Sequence, residues 1–231
     1  MKQIKSDNIR IKVILSITLM SIALQLMAQS EQLDNLPQFL LPAFSKSIVK
    51  MDAGKDLTLM MNYNVITEKM VFLQKNQVYD LLNQQNVDTI IMNSMKFVPV
   101  GNAFHEVILR GPVNLYIQHK GKIQDPGKPA AYGGTSQVSS STYLERVDFG
   151  NSGNSIYNKK LPEELIVEPS TVYWISFNNN KFSFTNERQF LKIFPGKEGE
   201  IKKFIKGHPR FKFENSEDVI KLVMFSYDLI K

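Results

Sequence analysis

Two histidines and a glutamate lie close together in this chain: His105, Glu106 and His119. An imidazole beside a carboxylate is equipment for general acid–base catalysis, because the carboxylate orients the ring and stabilises its charged form. If Gly101–Asn102 makes a two-residue turn, His105 pairs with Val98 and shares a strand face with Val107 and Leu109. A half-buried histidine with satisfied nitrogens is then the plainer reading. His119, late in the next strand, approaches His105 only in a different register. The third histidine, His208, lies between Gly207 and Pro209 and reads as a helix-end or loop residue. No two histidines have a metal-ligand spacing such as H-x-x-x-H. Serines are plentiful, but no G-x-S-x-G elbow presents one as a nucleophile. Glu163–Glu164, in "LPEELIVEP", read as a solvated loop entering a strand. The sequence assigns no catalytic residue, no metal ligand and no cofactor-binding residue, and it implies no cofactor.

A second candidate is the stretch "GKPAAYGGTSQVSSSTY", Gly127 to Tyr143. A phosphate-binding loop needs G-x-x-x-x-G-K-[ST] opening a helix, so that backbone N–H groups converge on the anion. Here Pro129 follows Gly127–Lys128, Thr135 follows Gly133–Gly134, and no helical pattern comes after. The stretch reads as part of a surface excursion, Gln124 to Asn158, too polar to bury much surface. Tyr173, Trp174 and Phe177 would suit a sugar platform, since aromatic faces bind the apolar faces of sugars. In a strand such as "TVYWISF", however, a core position is the plainer reading of Trp174. The lysines from Lys192 to Lys212 would suit an anionic envelope surface; the wet face of amphipathic helices explains them more simply.

The elements that must position these residues are short. From Lys46 to Lys120, β-like runs alternate with turn residues. "KSIVKM" and "DLTLMMNYNVI" flank Asp52-Ala53-Gly54; "KMVFLQ" and "QVYDLL" flank Lys75-Asn76. "VDTIIM" and "MKFVPV" flank Asn93-Ser94; "AFHEVIL" and "VNLYIQHK" flank Arg110-Gly111-Pro112. "TVYWISF" and "KFSF" flank Asn178-Asn179-Asn180. Runs this close together predict antiparallel hairpins, with Pro99 at an edge or bulge because it cannot donate to a ladder. The period changes at Asn186. Asn186 with Gln189 three residues on is a helix-start signal, and Pro195–Gly196 ends that helix. A second helix carries Ile201, Phe204 and Ile205 on one stripe, opposite Lys202, Lys203 and Lys206. A third opens at Asn215 or Ser216 with Glu217–Asp218 in its first turn. Apolar residues surround it, so it is expected to be largely covered.

The N-terminus reads as a secretory signal. Lys2, Lys5, Arg10 and Lys12 precede an apolar run, Val13 to Leu26, and polarity returns after Ala28, the expected cleavage point. That run of 14 residues is short of the roughly 20 that span a bilayer. Residues 1–28 hold four Lys/Arg and one acid of the chain's 28 and 22, so the remainder has 24 against 21, or +3 rather than +6. Strong, clustered basicity is the footprint of nucleic-acid binding, and it is not evident here. There is no cysteine, which excludes disulfides, a thiol nucleophile and lipid attachment at a new N-terminal cysteine. No second run is long enough to cross a membrane.

"NYNVITEKMVFLQKNQVYDL", "VDTIIMNSMKFVPVGNAFHEVILRGPVNLYIQHKGKI" and "ERQFLKIFPGKEGEIKKFIK" resemble a family of exported proteins of Bacteroidota-type Gram-negative bacteria. Its members show a signal peptide, a β-rich body and a helical "FLKIFP" tail. The resemblance covers most of the chain and rests on hydrophobic patterns and turns. It implies export and a β-rich body with helices at the end, and it carries no activity and no site residues. The expectations are these. The fold is α+β and mainly β: an antiparallel hairpin meander forming a sandwich or partly open barrel, with two or three C-terminal helices. A signal peptide, 1–28, and an extended leader, 29–45, precede one domain, 46–231, with a mobile loop at 124–158 and a helical tail at 186–231. The protein is expected to be a non-enzymatic component of the periplasm, outer envelope or cell exterior, with a binding or structural role and an envelope protein or glycan as partner. The alternative is an exported hydrolase with its site near His105, Glu106 and His119.

Overall fold

The computed structural model of the chain describes residues 33, 35–124, 128–129, 135–136, 160–161 and 165–231. Twelve strands and three helices follow one another along these residues. The strands are β1 (Ser45–Met51), β2 (Leu57–Asn64), β3 (Lys69–Gln74), β4 (Gln77–Asp80), β5 (Val87–Met92), β6 (Met95–Val100), β7 (Ala103–Leu109), β8 (Asn114–Gln124), β9 (Lys128–Pro129), β10 (Thr135–Ser136), β11 (Ile166–Phe177) and β12 (Asn180–Phe184). The helices are α1 (Glu187–Leu191), α2 (Glu198–Gly207) and α3 (Ser216–Asp228). Ten strands form one antiparallel sheet in the order β12-β11-β8-β7-β6-β5-β1-β2-β3-β4, and β9 pairs with β10 in a small ribbon. The chain is therefore mainly β with helices at its C-terminus, as its pattern predicts.

Each of the five hairpins read from the sequence is present. Two of their turns show why. Lys75 and Asn76 have φ of 48° and 61°, and Asn178 and Asn179 repeat those values. Two successive left-handed residues twist in the sense that flanking strands need, and asparagine tolerates that conformation well. Pro99 lies where β6 has lost β5, which reaches only Phe97, and is paired with β7 alone; its missing N–H costs no ladder bond on the open side.

The sheet curls without closing. β7 and β8 pair from Leu109–Leu115, beside their turn, to Glu106–Ile117 and then splay. The turn between β2 and β3 enters the gap: the Val65 carbonyl accepts from Gly121 N on β8 at 2.7 Å, and the Glu68 carbonyl accepts from Phe104 N on β7 at 3.3 Å. One core fills the curl, with Val49, Met61, Tyr63, Met70, Ile90, Met92, Phe97 and Phe104 buried and the Tyr63 and Phe97 rings stacked at 5.7 Å. A second core lies between the helices and the β8–β11–β12 end of the same sheet face. It contains Leu115, Ile117, Tyr173, Ile175 and Phe184 from the sheet, with Phe190, Phe194, Ile201, Val219, Leu222 and Val223 from the helical tail.

The helix starts follow their caps. Asn186 Oδ1 accepts from Gln189 N at 3.1 Å, and Gln189 Oε1 accepts in return from Thr185 N at 2.7 Å. Asn215 Oδ1 accepts from Glu217 N at 2.9 Å at the head of α3. α2 buries Ile201 and leaves Lys202, Lys203 and Lys206 in water. α3 is largely covered along its apolar residues, with Val219, Leu222 and Val223 buried and Ile220, Phe225 and Tyr227 half-buried; Met224, 38% exposed, is the exception. The leader departs from expectation. It bends and continues alongside β2 where β1 has left off, with Leu40 N donating to the Tyr63 carbonyl and Val65 N to the Gln38 carbonyl, both at 2.9 Å. Leu36, Gln38 and Phe39 are buried there, so this segment belongs to the body. The expected signal peptide, 1–28, and Glu163–Glu164 lie outside the described residues. So does the expected mobile loop 124–158, apart from Gln124 and the β9–β10 ribbon. No described helix is long and apolar enough to cross a membrane.

Candidate functional site

Successive residues of a strand point to opposite faces of its sheet. His105 and Glu106 are therefore parted by the backbone of β7, and Gln118 and His119 by that of β8. The structure brings Glu106 and His119 together on the inner face, where His119 Nε2 lies 2.7 Å from Glu106 Oε2. Both side chains are nearly covered, at 15% and 17% exposure. The His119 ring meets Tyr63 at 6.0 Å and Phe97 at 6.2 Å. The Tyr63 hydroxyl donates to the His119 carbonyl at 3.1 Å. Burial, assisted by the Glu68 charge, raises the Tyr63 hydroxyl far above the usual tyrosine range, and burial with the Glu214 and Glu106 charges pushes Tyr173 up to about 12. Both phenols stay neutral, and the Glu106–His119 pair links the two cores.

His105 goes to the outer face and is 2% exposed. The expected Val98 pairing is present. The expected companion Leu109 is not on that face, because the β7–β8 register shifts between Val107 and Leu109 and turns Leu109 into the second core. The expectation of a half-buried, satisfied ring also fails: His105 is fully buried, and its Nδ1 has no hydrogen-bond partner among the described residues. The ring lies 5.8 Å from that of Trp174.

Trp174 lies in neither core. It is half-buried on the outer face of β11, directly across from Tyr116 on β8. Its indole N–H donates to Gln118 Oε1 at 2.8 Å. The Gln118 amide donates to Glu68 Oε2, and Lys120 Nζ lies 3.1 Å from Glu68 Oε1. Lys181 Nζ sits over both rings, 5.0 Å from the Trp174 centroid and 5.8 Å from that of Tyr116. Partial burial lowers the Lys181 ammonium from its usual value. The helices pack on the other side of this part of the sheet, so no described helix covers the cluster. Of the three aromatics expected to form a platform, only Trp174 is here; Tyr173 and Phe177 face the second core. Tyr116, Gln118, Glu68 and Lys181 were not legible as a group. Their meeting depends on the β8–β11 register and on the β2–β3 turn, where Glu68 is left-handed at φ 57°. His208 is at the end of α2, its Nδ1 2.7 Å from the Phe204 carbonyl oxygen. Among the described residues no group of three His, Cys, Asp or Glu could hold a metal ion.

The buried His105 predicts a pH dependence. Burial, then Lys181 and to a lesser degree Lys120 and His119, lower its pKa from 6.5 to about 4, with Glu68 opposing. Between those values the unfolded chain binds a proton that the folded one does not, so stability falls as pH falls from about 6.5 to about 4. The loss attributable to His105 reaches about 3 kcal/mol. Urea unfolding of the wild type and His105→Gln at pH 7 and pH 4 checks it: the wild type is expected to lose more stability than the variant, and equal losses would contradict the burial of this ring.

No protein-family model, curated protein or solved structure matches this chain, so its functional reading rests on the geometry of the chain itself.

Proposed function

We propose that the protein is an exported, non-enzymatic protein of the cell envelope or surface, with a binding or structural role and an envelope protein or glycan as its partner. The observation that carries this reading is the separation of the three candidate catalytic residues. His105 is buried against Trp174 on one face of the sheet, while Glu106 and His119 are on the other and engaged with each other. The N-terminal order of basic, apolar and small residues supports export. N-terminal sequencing of the protein from fractionated native cells tests it. A start near Gln29 in a periplasmic, outer-envelope or extracellular fraction is expected. An intact Met1 start in the cell membrane would overturn the export.

The Glu106–His119 contact supports a second reading, an exported hydrolase. A carboxylate within hydrogen-bond reach of an imidazole is two-thirds of a hydrolytic triad. Among the described residues no hydroxyl is hydrogen-bonded to the His119 ring, where a triad would hold its nucleophile; the Tyr63 hydroxyl meets only the His119 backbone carbonyl. Chromogenic ester, amide and glycoside substrates separate the two readings. Turnover that His119→Gln abolishes would establish the hydrolase; its absence is what the binding reading expects.

A further inference from the structure

Four side chains on the outer face form an ordered chain, Trp174 to Gln118 to Glu68 to Lys120. Ordering glutamine, glutamate and lysine costs each much of its rotamer freedom. Partly exposed ion pairs return little of that: Lys120 is 41% and Glu68 22% exposed. What the network does achieve is to fix the plane of one indole ring. Beneath that ring His105 Nδ1 is buried without a partner, a situation that native structures rarely leave unexplained. Among the described residues, what lies above it and Tyr116 is the ammonium of Lys181, an exposed side chain.

We infer that the Tyr116–Trp174 surface is a binding site for a neutral pyranose of an oligosaccharide, with Lys181 as a displaceable cap. This rests on the binding reading above and names the ligand class. The two rings, side by side across β8 and β11, offer an apolar surface for the C–H face of a sugar ring. The amide of Gln118 and the carboxylate of Glu68, held at the edge of the indole, are partners for equatorial hydroxyls. Charge selects among ligands with an aromatic-stacking face. Glu68 opposes a phosphate, and its pairing with Lys120 leaves Lys181, among the described residues, as the uncompensated cation of the cluster. Nucleotides are therefore disfavoured, and sugars without charge are not.

Trp174 is the only tryptophan in the chain, so intrinsic emission above the tyrosine band reports on this ring alone. The full chain is titrated with three neutral tetrasaccharides, β-1,4-linked glucose, β-1,4-linked N-acetylglucosamine and α-1,4-linked glucose, and with ATP. A saturable change in emission with at least one sugar and none with ATP is expected. Tyr116→Ala should weaken the sugar response about tenfold or more. Gln118→Ala, which touches only the edge of the site, should weaken it too, and serves if Tyr116→Ala lowers the melting temperature. Lys181→Ala should leave sugar binding in place and make Trp174 more accessible to acrylamide. No saturable response to any of the three sugars would overturn the site, as would a response that Tyr116→Ala and Gln118→Ala both leave unchanged, or one matched by ATP. Unchanged acrylamide quenching in Lys181→Ala would overturn the cap. None of these results bears on whether the protein is exported, which the N-terminal sequence decides separately.

Discussion

Leu222→Ala is expected to lower the stability of the protein by about 2–5 kcal/mol, the usual cost of removing a fully buried leucine side chain and leaving a cavity. Leu222 has no exposed surface, and neither do its neighbours on α3, Val219 and Val223. The helix supplies one wall of the second core; the sheet supplies the other through Leu115, Tyr173, Ile175 and Phe184. A chain ending at Asn215 loses that wall entirely. Each buried aliphatic side chain contributes roughly 1.5–3 kcal/mol, so losing three of them removes as much as many domains have in total. The truncated chain is expected to be unfolded or aggregated, and thermal melting of both forms checks this. A truncated chain with the melting temperature of the whole protein would show that α3 is an appendage. Met224→Ala, on the exposed side of the same helix, should change stability by less than about 1 kcal/mol.

The second large effect is expected at Gly121. A Cβ placed there would lie 2.5 Å from Val65 Cγ2, 3.3 Å from Val65 Cβ and 3.0 Å from Val167 Cγ1. Neither neighbour can swing away easily, because valine is stiff at χ1 and both are buried. Gly121 N also donates to the Val65 carbonyl, so the clash pushes apart the strand and the turn that this bond joins. Gly121→Ala is expected to cost about 1–3 kcal/mol by overpacking, and Gly121→Val more. The cause is a close approach of backbones, and a double mutant isolates it. In a Val65→Ala background the first substitution should cost distinctly less, because the nearest atoms are gone. A Gly121→Ala protein with the wild-type urea midpoint would mean that the β2–β3 turn does not seat on β8.

Local chemistry made much of this fold readable. Lys75–Asn76 and Asn178–Asn179 announced their hairpins because two-residue turns demand left-handed backbone. Asn186 with Gln189, and Asn215 with Glu217, announced helix starts because a cap is a bond between near neighbours in sequence. What stayed hidden was non-local. After β4 the chain goes back to pair β5 with β1, and no residue near either strand encodes that return. Leu109 follows the alternation of β7 on paper, but the register shift beside it turns it to the other face. Trp174 read as core because strands with its composition are usually buried on both faces; which face the helices cover is decided by later residues, from Phe190 to Val223. The candidate site shows the same limit. His105, Glu106 and His119 were visible as residue types, and alternation alone separates the first two. The partners that decide the character of each histidine, Trp174 for His105 and Tyr63 with Phe97 for His119, come from distant strands.

The pairing of Gln124 with Ile166 at the far end of β8 and β11 has a consequence for how this chain tolerates change in length. These two residues are partners in the sheet although 41 residues separate them in the sequence. The ladder brings them together, whatever the chain does in between. Closing a chain between two points that a ladder already holds together costs only the slow logarithm of its length, about 0.6 kcal/mol for each doubling. Material can therefore be gained or lost at this point with little penalty to the body. The exception is Leu161, which is buried in the first core and ties down the last part of the return. Upstream of it, the architecture leaves a position where sequence can drift, grow or acquire a new recognition segment while the ten-stranded sheet stays as it is.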